Sequence, residues 1–205
     1  MHPPEFWSGA GAGARVLRAA LAPASWIYGN SVARKAARAT PFRARAKVVC
    51  VGNLTVGGTG KTPVAIAIAK LLAARGLRAA LLTRGYGGRA KGPLILDRAR
   101  DLASEVGDEP LMAAASAPVI VARDRRKGAE LADAQGMDVI VMDDGHQNFS
   151  LAKDLSLVVV DAETGFGNGL VLPAGPLRES VAQGLARADA IGVTSDGTPN
   201  LGAFK

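Results

Sequence analysis

The 205-residue chain is 48% hydrophobic and 21% charged, a balance that excludes a fibrous or disordered polymer and suits an α/β chain able to bury one good core. Its formal charge of +7 is lopsided, because residues 1–50 hold eight Lys or Arg against one acid while residues 51–205 hold 17 of each. A basic N-terminal region fits an anionic membrane, an acidic substrate or nucleic acid, and the sign alone does not choose. The single cysteine, Cys50, sits in the apolar run Val48-Val49-Cys50-Val51 and reads as a buried strand thiol in a reducing compartment. No run of 18 uncharged apolar residues occurs, and Met1-His2-Pro3-Pro4-Glu5 lacks the basic start of a secretory signal, so a cytosolic chain is expected.

From Phe6 to about Ala39 the residues are small, apolar and basic. Val16, Leu17, Ala20 and Leu21 share a helical face flanked by Arg15 and Arg18, Pro23 is expected to interrupt, and a second piece carries Trp26, Ile27 and Tyr28 before Arg34, Lys35 and Arg38. The pattern suits a helix lying in a membrane interface with its basic heads turned to lipid phosphates, and equally one packed on the domain with a solvated basic face.

Beyond Pro41 strands and helices alternate. Strands are expected at Lys47–Gly52, Leu77–Thr83, Pro118–Ala122, Met137–Met142, Leu155–Val160 and Ala190–Thr194. Helices are expected at Pro63–Arg75, near Leu111–Ala117 and at Asp124–Gln135. Near-continuous Val, Ile and Leu runs between helices of this length predict an α/β fold, a mostly parallel sheet flanked by helices, preceded by the basic amphipathic N-terminal helical segment.

The strongest motif is Thr55-Val56-Gly57-Gly58-Thr59-Gly60-Lys61-Thr62, set between a strand and a helix. Glycines let backbone N–H groups curl around phosphate oxygens, the helix start adds its positive dipole end, Lys61 reaches the β- and γ-phosphates, and the Thr62 hydroxyl can ligate Mg²⁺. A strict Walker A loop has glycine where this chain has Thr55, but the strand before and the helix after it make the expected fold a P-loop NTPase-like sheet. Val139-Ile140-Val141-Met142 then ends in Asp143 and Asp144, an apolar strand finishing in carboxylates as a Walker B element does, and able to hold Mg²⁺ directly or through water. Asp108, in Glu105-Val106-Gly107-Asp108-Glu109-Pro110, either caps a helix or accepts the proton of an attacking hydroxyl. Arg123, Arg125, Arg126 and Lys127, and Arg178 before Glu179, fit phosphate or phosphosugar binding, with solvated helix charges an equal reading for Arg125 and Arg126. His146 either lines the site or is incidental.

Taken together these segments resemble the tetraacyldisaccharide 4′-kinases, the lipid A 4′-kinases of Gram-negative bacteria. The resemblance runs from Phe6-Trp7 to about Val193. It rests on the phosphate loop ending in Pro63, on Arg84-Gly85-Tyr86-Gly87, on Gly107–Pro110, on Asp143-Asp144-Gly145-His146-Gln147-Asn148, and on Phe166–Gly169 leading to Pro173-Ala174-Gly175-Pro176-Leu177-Arg178-Glu179. It implies transfer of the ATP γ-phosphate to the 4′-hydroxyl of a tetraacylated glucosamine disaccharide 1-phosphate, giving lipid IVA, at the cytoplasmic face of the inner membrane. ATP and Mg²⁺ are then the cofactors, and the partners are the acylated disaccharide and the anionic membrane surface, with no nucleic acid. The expected organisation is a membrane-docking segment over 1–45 and a P-loop kinase core over 46–205.

By motif match, Lys61 and Asp108 are catalytic and residues 55–62 bind the nucleotide. Thr62, Asp143, Asp144 and Glu179 serve the metal, with Asp143 and Asp144 alternatively orienting Lys61, while Tyr86, Asn148 and Arg178 meet the sugar. His146 and Asn148 stand where the family has Phe and His. Family members also continue past the position of Lys205 with a second lobe supplying a histidine partner for the catalytic aspartate, so nucleotide binding, with weak or absent lipid kinase turnover unless that lobe is restored, is expected here. The alternatives are a membrane-associated P-loop ATPase, disfavoured because Val56 replaces the signature lysine of partition-type ATPases, and a non-catalytic nucleotide-binding fragment.

Overall fold

In the computed structural model, residues 4–195 and the backbone of 198–200 are described. The reading of the first three residues lies outside that range. Two compact units emerge. One combines residues 1–39, 53–60 and 158–205, and the other combines 40–52 with 61–157.

In the second unit, β1 (Lys47–Gly52), β2 (Ala79–Thr83), β4 (Val119–Val121) and β5 (Val139–Asp143) are parallel neighbours, β5 lying between β1 and β2 and β2 between β5 and β4. A two-residue strand β3 (Leu94–Ile95) pairs antiparallel on the outer side of β4. β2, β4 and β5 are buried at every position, which is why they read as continuous aliphatic runs and not as alternations.

Helix α3 (Lys61–Ala74) starts two residues before the expected Pro63, which falls in the first turn where a missing N–H costs nothing. Gly76, with φ 81°, follows it as the predicted stop. Short helices α4 (Ala103–Val106) and α5 (Asp108–Ala113) replace the helix expected near Leu111–Ala117. Helix α6 (Arg125–Ala134) is capped by the Asp124 carboxylate, which accepts from the N–H groups of Arg126 and Lys127. One core cluster joins Val48, Cys50, Leu82, Ile120, Ile140 and Met142 to Ala129 and Ala132 of α6. Cys50 is fully buried there, and burial pushes its thiol pKa up. His146 is also fully buried, its Nδ1 3.1 Å from the Ser156 hydroxyl, so it is a core residue and lines no surface.

In the first unit, α1 (Glu5–Ser8) precedes α2 (Ala12–Arg38), and α2 corrects one expectation: it runs unbroken through Pro23. An interior proline costs about 3 kcal/mol, and the surrounding alanine-rich helix, fastened at intervals, carries that cost. Ser25, its one buried residue, accepts from Ala174 N–H at 3.1 Å, and Trp7 Nε1 donates to Pro173 O at 3.0 Å. Val16, Leu17, Trp26 and Ile27 remain exposed, and Lys35 and Arg38 sit in the last turn, where cations complement the helix dipole. No helix among the described residues is long and apolar enough to cross a membrane. β6 (Leu155–Asp161) crosses the boundary between the units. After it come α7 (Val181–Leu185), β7 (Ala190–Ser195) and β8 (Thr198–Asn200), β7 and β8 being antiparallel. Leu54, Val158 and Leu177 form this unit's core cluster, joined by Phe166, Val171 and Val181.

Candidate active site

The glycine loop belongs to the first unit and is wired from within. Asn53, fully buried, donates through Nδ2 to the hydroxyls of Thr55 (3.3 Å) and Thr59 (3.2 Å), so the two ends of the loop share one amide. Val56 N–H donates to Pro176 O, and Arg178 N–H to Leu54 O, which joins the loop to the Pro-Ala-Gly-Pro-Leu turn as a short antiparallel pairing through Thr55 and Leu177. From β7 the buried Thr194 hydroxyl donates to Thr59 O at 3.1 Å, and its methyl lies 3.3 Å from where a Cβ on Gly60 would stand. Gly57 and Gly60 take φ values of 127° and 72°, a region closed to most side chains. These glycines are required by the backbone path, which turns the loop into the start of α3. Asn53 and Thr194 escaped the sequence reading, and only the polar Asn directly after an apolar strand could have signalled the first.

The second unit holds the charged groups. The Thr62 hydroxyl, in the first turn of α3, donates to Asp143 Oδ2 at 3.0 Å, and Lys61 Nζ lies 3.9 Å from Asp144 Oδ1. This brings four residues named from two distant motifs together. Asp144 sits just past β5 with φ 50°, a left-handed conformation that short polar side chains tolerate, and it lets two successive carboxylates point differently. Asp143 is 4% exposed, and its Oδ1 is buried with no hydrogen-bond partner. Burial raises the Asp143 pKa to about 6, with the Asp144 charge adding to the rise and the Thr62 hydrogen bond and Lys61 opposing it.

Arg125 corrects the reading of a phosphate-binding or solvated charge. It is 4% exposed and donates to Ala122 O at 2.9 Å and to Asp143 O at 3.0 Å, tying the ends of β4 and β5 together. Burial lowers its pKa to about 10, while the neighbouring Asp143 and Asp144 carboxylates hold it up. Arg126, by contrast, is a surface side chain paired with Glu130.

The remaining expected residues are dispersed. Asp108 is exposed at the first position of α5, and Tyr86 is 86% exposed. Asn148 is half-buried and its Oδ1 accepts from the N–H and hydroxyl of Ser150, closing its own turn. In the first unit, Arg178 is half-buried, and the buried Glu179 carboxylate is bound by Arg187.

The Asp143 shift fixes a sign. Its folded pKa lies above the unfolded 3.8, so the native state keeps a proton that the unfolded chain releases, and this stabilisation is lost as pH rises through about 6. Above that, burying the charge costs about 3 kcal/mol. Asp143→Asn keeps an acceptor for Thr62 and removes the charge. In metal-free buffer it should therefore be more stable than the parent by about 1–3 kcal/mol at pH 7.5, the gap closing near pH 4. Urea melts at both pH values check this, and a gap that does not narrow on acidification refutes the buried-charge account.

Comparison with known proteins shows the family. A family model described as tetraacyldisaccharide-1-P 4′-kinase matches residues 17–203. The tetraacyldisaccharide 4′-kinase of Dinoroseobacter shibae is 55% identical over 189 residues, covering 92% of this chain and 56% of that protein. The one from Maricaulis maris is 56% identical over 195 residues, covering 93% and 57%. The chain thus spans a little over half the length of these curated relatives. A crystal structure of LpxK from Aquifex aeolicus in complex with ATP matches with a TM-score of 0.78 and 31% identity over 92% of this chain and 62% of that one. With a family match over nearly its whole length, and with the motif residues of α3 and β5 in contact, the chain belongs to the tetraacyldisaccharide-1-P 4′-kinase family.

Proposed function

We propose that this chain binds ATP with Mg²⁺ and serves a kinase that phosphorylates the 4′-hydroxyl of a tetraacylated glucosamine disaccharide 1-phosphate, forming lipid IVA. The observation that carries the reading is the pairing of Thr62 with Asp143 and of Lys61 with Asp144 directly after a glycine loop. Family membership and the ATP in the Aquifex aeolicus complex support it.

The Thr62 hydroxyl and the unpartnered Oδ1 of Asp143 form an all-oxygen donor pair that fits Mg²⁺, with Asp144 beside them. Bound there, the ion would neutralise charge on the phosphates. Lys61 holds the β- and γ-phosphate oxygens. The 4′-oxygen attacks the γ-phosphorus, the bond to the bridging oxygen breaks, ADP leaves, and the hydroxyl proton passes to the Asp108 carboxylate. Asp108 is exposed and so open to a sugar arriving from solvent or membrane. For Tyr86, Asn148, Arg178 and Glu179 the proposed roles at the sugar or the metal rest on the family motifs.

Helix α2 is proposed to dock on the anionic cytoplasmic leaflet of the inner membrane. Its exposed Trp26 and Ile27 would enter the interface, with Arg34, Lys35 and Arg38 at headgroup level. Residues 1–45 then act as the docking segment and 46–205 as the kinase core.

Titration calorimetry should show MgATP binding that Lys61→Ala weakens about tenfold or more, the worth of a charge-assisted phosphate contact. No heat with any Mg-nucleotide would end the nucleotide reading. In the full-length protein, with γ-labelled ATP and the disaccharide, Asp108→Asn should reduce lipid phosphorylation roughly 10²–10⁴-fold and leave ATP affinity unchanged. Turnover that survives the change removes Asp108 as the base. ATP hydrolysis without lipid product points to an ATPase, and binding without either reaction to a nucleotide-binding module. Replacing Trp26 and Ile27 by Ser should cut sedimentation with phosphatidylglycerol vesicles at least about tenfold, since each buried side chain is worth about 1.5–3 kcal/mol. Unaltered sedimentation places the membrane contact elsewhere.

A further inference from the structure

Within the first unit, Thr59 is held from two sides. Its hydroxyl accepts from Asn53 Nδ2 at 3.2 Å, and its carbonyl oxygen accepts at 3.1 Å from the hydroxyl of Thr194, 135 residues further along the chain. Thr194 is itself fixed. It is buried in β7, its carbonyl accepts the Ala162 N–H at 2.7 Å, and a β-branched side chain has few rotamers to choose from. The bond from Thr194 acts on a peptide plane and not on a side chain. The Thr59–Gly60 peptide is trans, so its C=O and N–H point in opposite directions. Fastening the carbonyl to β7 therefore turns the Gly60 N–H away from β7, and among the described residues no acceptor takes that N–H.

Gly60 does not enforce this orientation. With no side chain it accepts either sign of φ, so its value of 72° is one of two open choices, and the other goes with the peptide turned over. A turned peptide would present the Thr59 carbonyl oxygen, a partial negative charge, where a glycine loop offers donors to phosphate oxygens. The Thr194 methyl backs the same peptide, 3.3 Å from where a Cβ on Gly60 would stand, and leaves the backbone little room to move toward β7. Thr194 thus supplies two things that the loop's own sequence lacks, a donor for the carbonyl end of the peptide and a wall behind it.

We propose that Thr194 is a positioning residue for nucleotide binding: by holding the Thr59 carbonyl it keeps the Gly60 N–H aimed at the α- and β-phosphates, the part of the nucleotide that the amides of such a loop cradle. This rests on the ATP-binding reading and adds to it a residue from outside both phosphate motifs. Thr194 makes no bond to the nucleotide. Its effect passes through one peptide group, so it is the same for MgATP and MgADP, which share those phosphates, and it depends on the hydroxyl and not on side-chain volume.

Titration calorimetry with MgATP and MgADP on the full-length protein tests this, at a temperature where thermal melts show every variant folded. Thr194→Val keeps the shape and removes the hydroxyl, Thr194→Ser keeps the hydroxyl, and Thr194→Ala removes it without crowding. The Val and Ala variants should bind both nucleotides about tenfold more weakly, the worth of one hydrogen bond to a charged phosphate, and the Ser variant should stay within about threefold of the parent. NMR reads the peptide itself. In protein made with carbonyl-¹³C threonine and ¹⁵N glycine, only the Thr59–Gly60 and Thr164–Gly165 bonds join the two labels, and Thr164→Ser identifies the second. On addition of MgADP the Gly60 amide proton should move downfield in the parent and in the Ser variant, as it meets phosphate, and should not in the Val variant. The role is overturned if the Val and Ala variants bind like the parent, if Ser falls as far as they do, if the loss is confined to MgATP, or if the Gly60 amide responds in Val as in the parent. A parent that binds neither Mg-nucleotide brings down the ATP reading as well, whereas a parent that binds while the Val variant changes nothing removes Thr194 alone.

Discussion

Asp143 is an ionisable group kept out of water at the end of a fully buried strand, with one carboxylate oxygen bonded to Thr62 and the other bonded to nothing. Such a placement is unfavourable for the isolated protein, and the same burial raises the Asp143 pKa to about 6. Arg125 does not relieve it by a direct ion pair. Its guanidinium instead binds the carbonyls of Ala122 and Asp143, fixing the backbone that carries the acid and adding a buried positive charge nearby. The result is a carboxylate oriented and electrostatically incomplete, which a hard cation would complete. Much of the second unit's chemistry follows from that incompleteness.

The parallel order of β1, β5, β2 and β4 explains why distant motifs converge. Parallel strands end at the same edge, so Gly52, Asp143, Thr83 and Val121 all deliver the chain to one side. From there β5 leads to the paired aspartates, β2 to the loop over residues 84–91 and β4 to the arginines at 123 and 125. Arg125 turns inward and becomes structural, while Arg123, two residues earlier, stays at the surface and donates to Gly88 O and Lys91 O of the loop that follows β2. Their opposite fates follow from helical geometry at the start of α6: Arg125 is its first residue and buried, Arg123 lies before its Asp124 cap and is exposed.

In the first unit, the glycine loop is held by neutral hydrogen bonds. A buried amide, a threonine from β7 and two backbone bonds to the proline turn define the glycine loop, whose glycines alone would leave it floppy. The same proline turn fastens the N-terminal segment through Ser25 and Trp7. Helix α2 can then survive an interior proline while turning large apolar side chains to the outside.

The amino-acid sequence determined by itself the alternation of strand and helix, the parallel buried sheet and the two phosphate-site motifs. Each of these is written in local periodicity, glycine placement and the residue type at strand ends. It could not tell Arg125 from Arg126, because adjacent arginines differ only in which way the helix turns them. Nor could it show that α2 crosses Pro23, since the compensating contacts come from residues some 150 positions away. Burial of His146 and the Asn53 and Thr194 anchors were likewise decided by tertiary packing. Desolvation and hydrogen-bond partners belong to the folded neighbourhood, and no linear pattern encodes them.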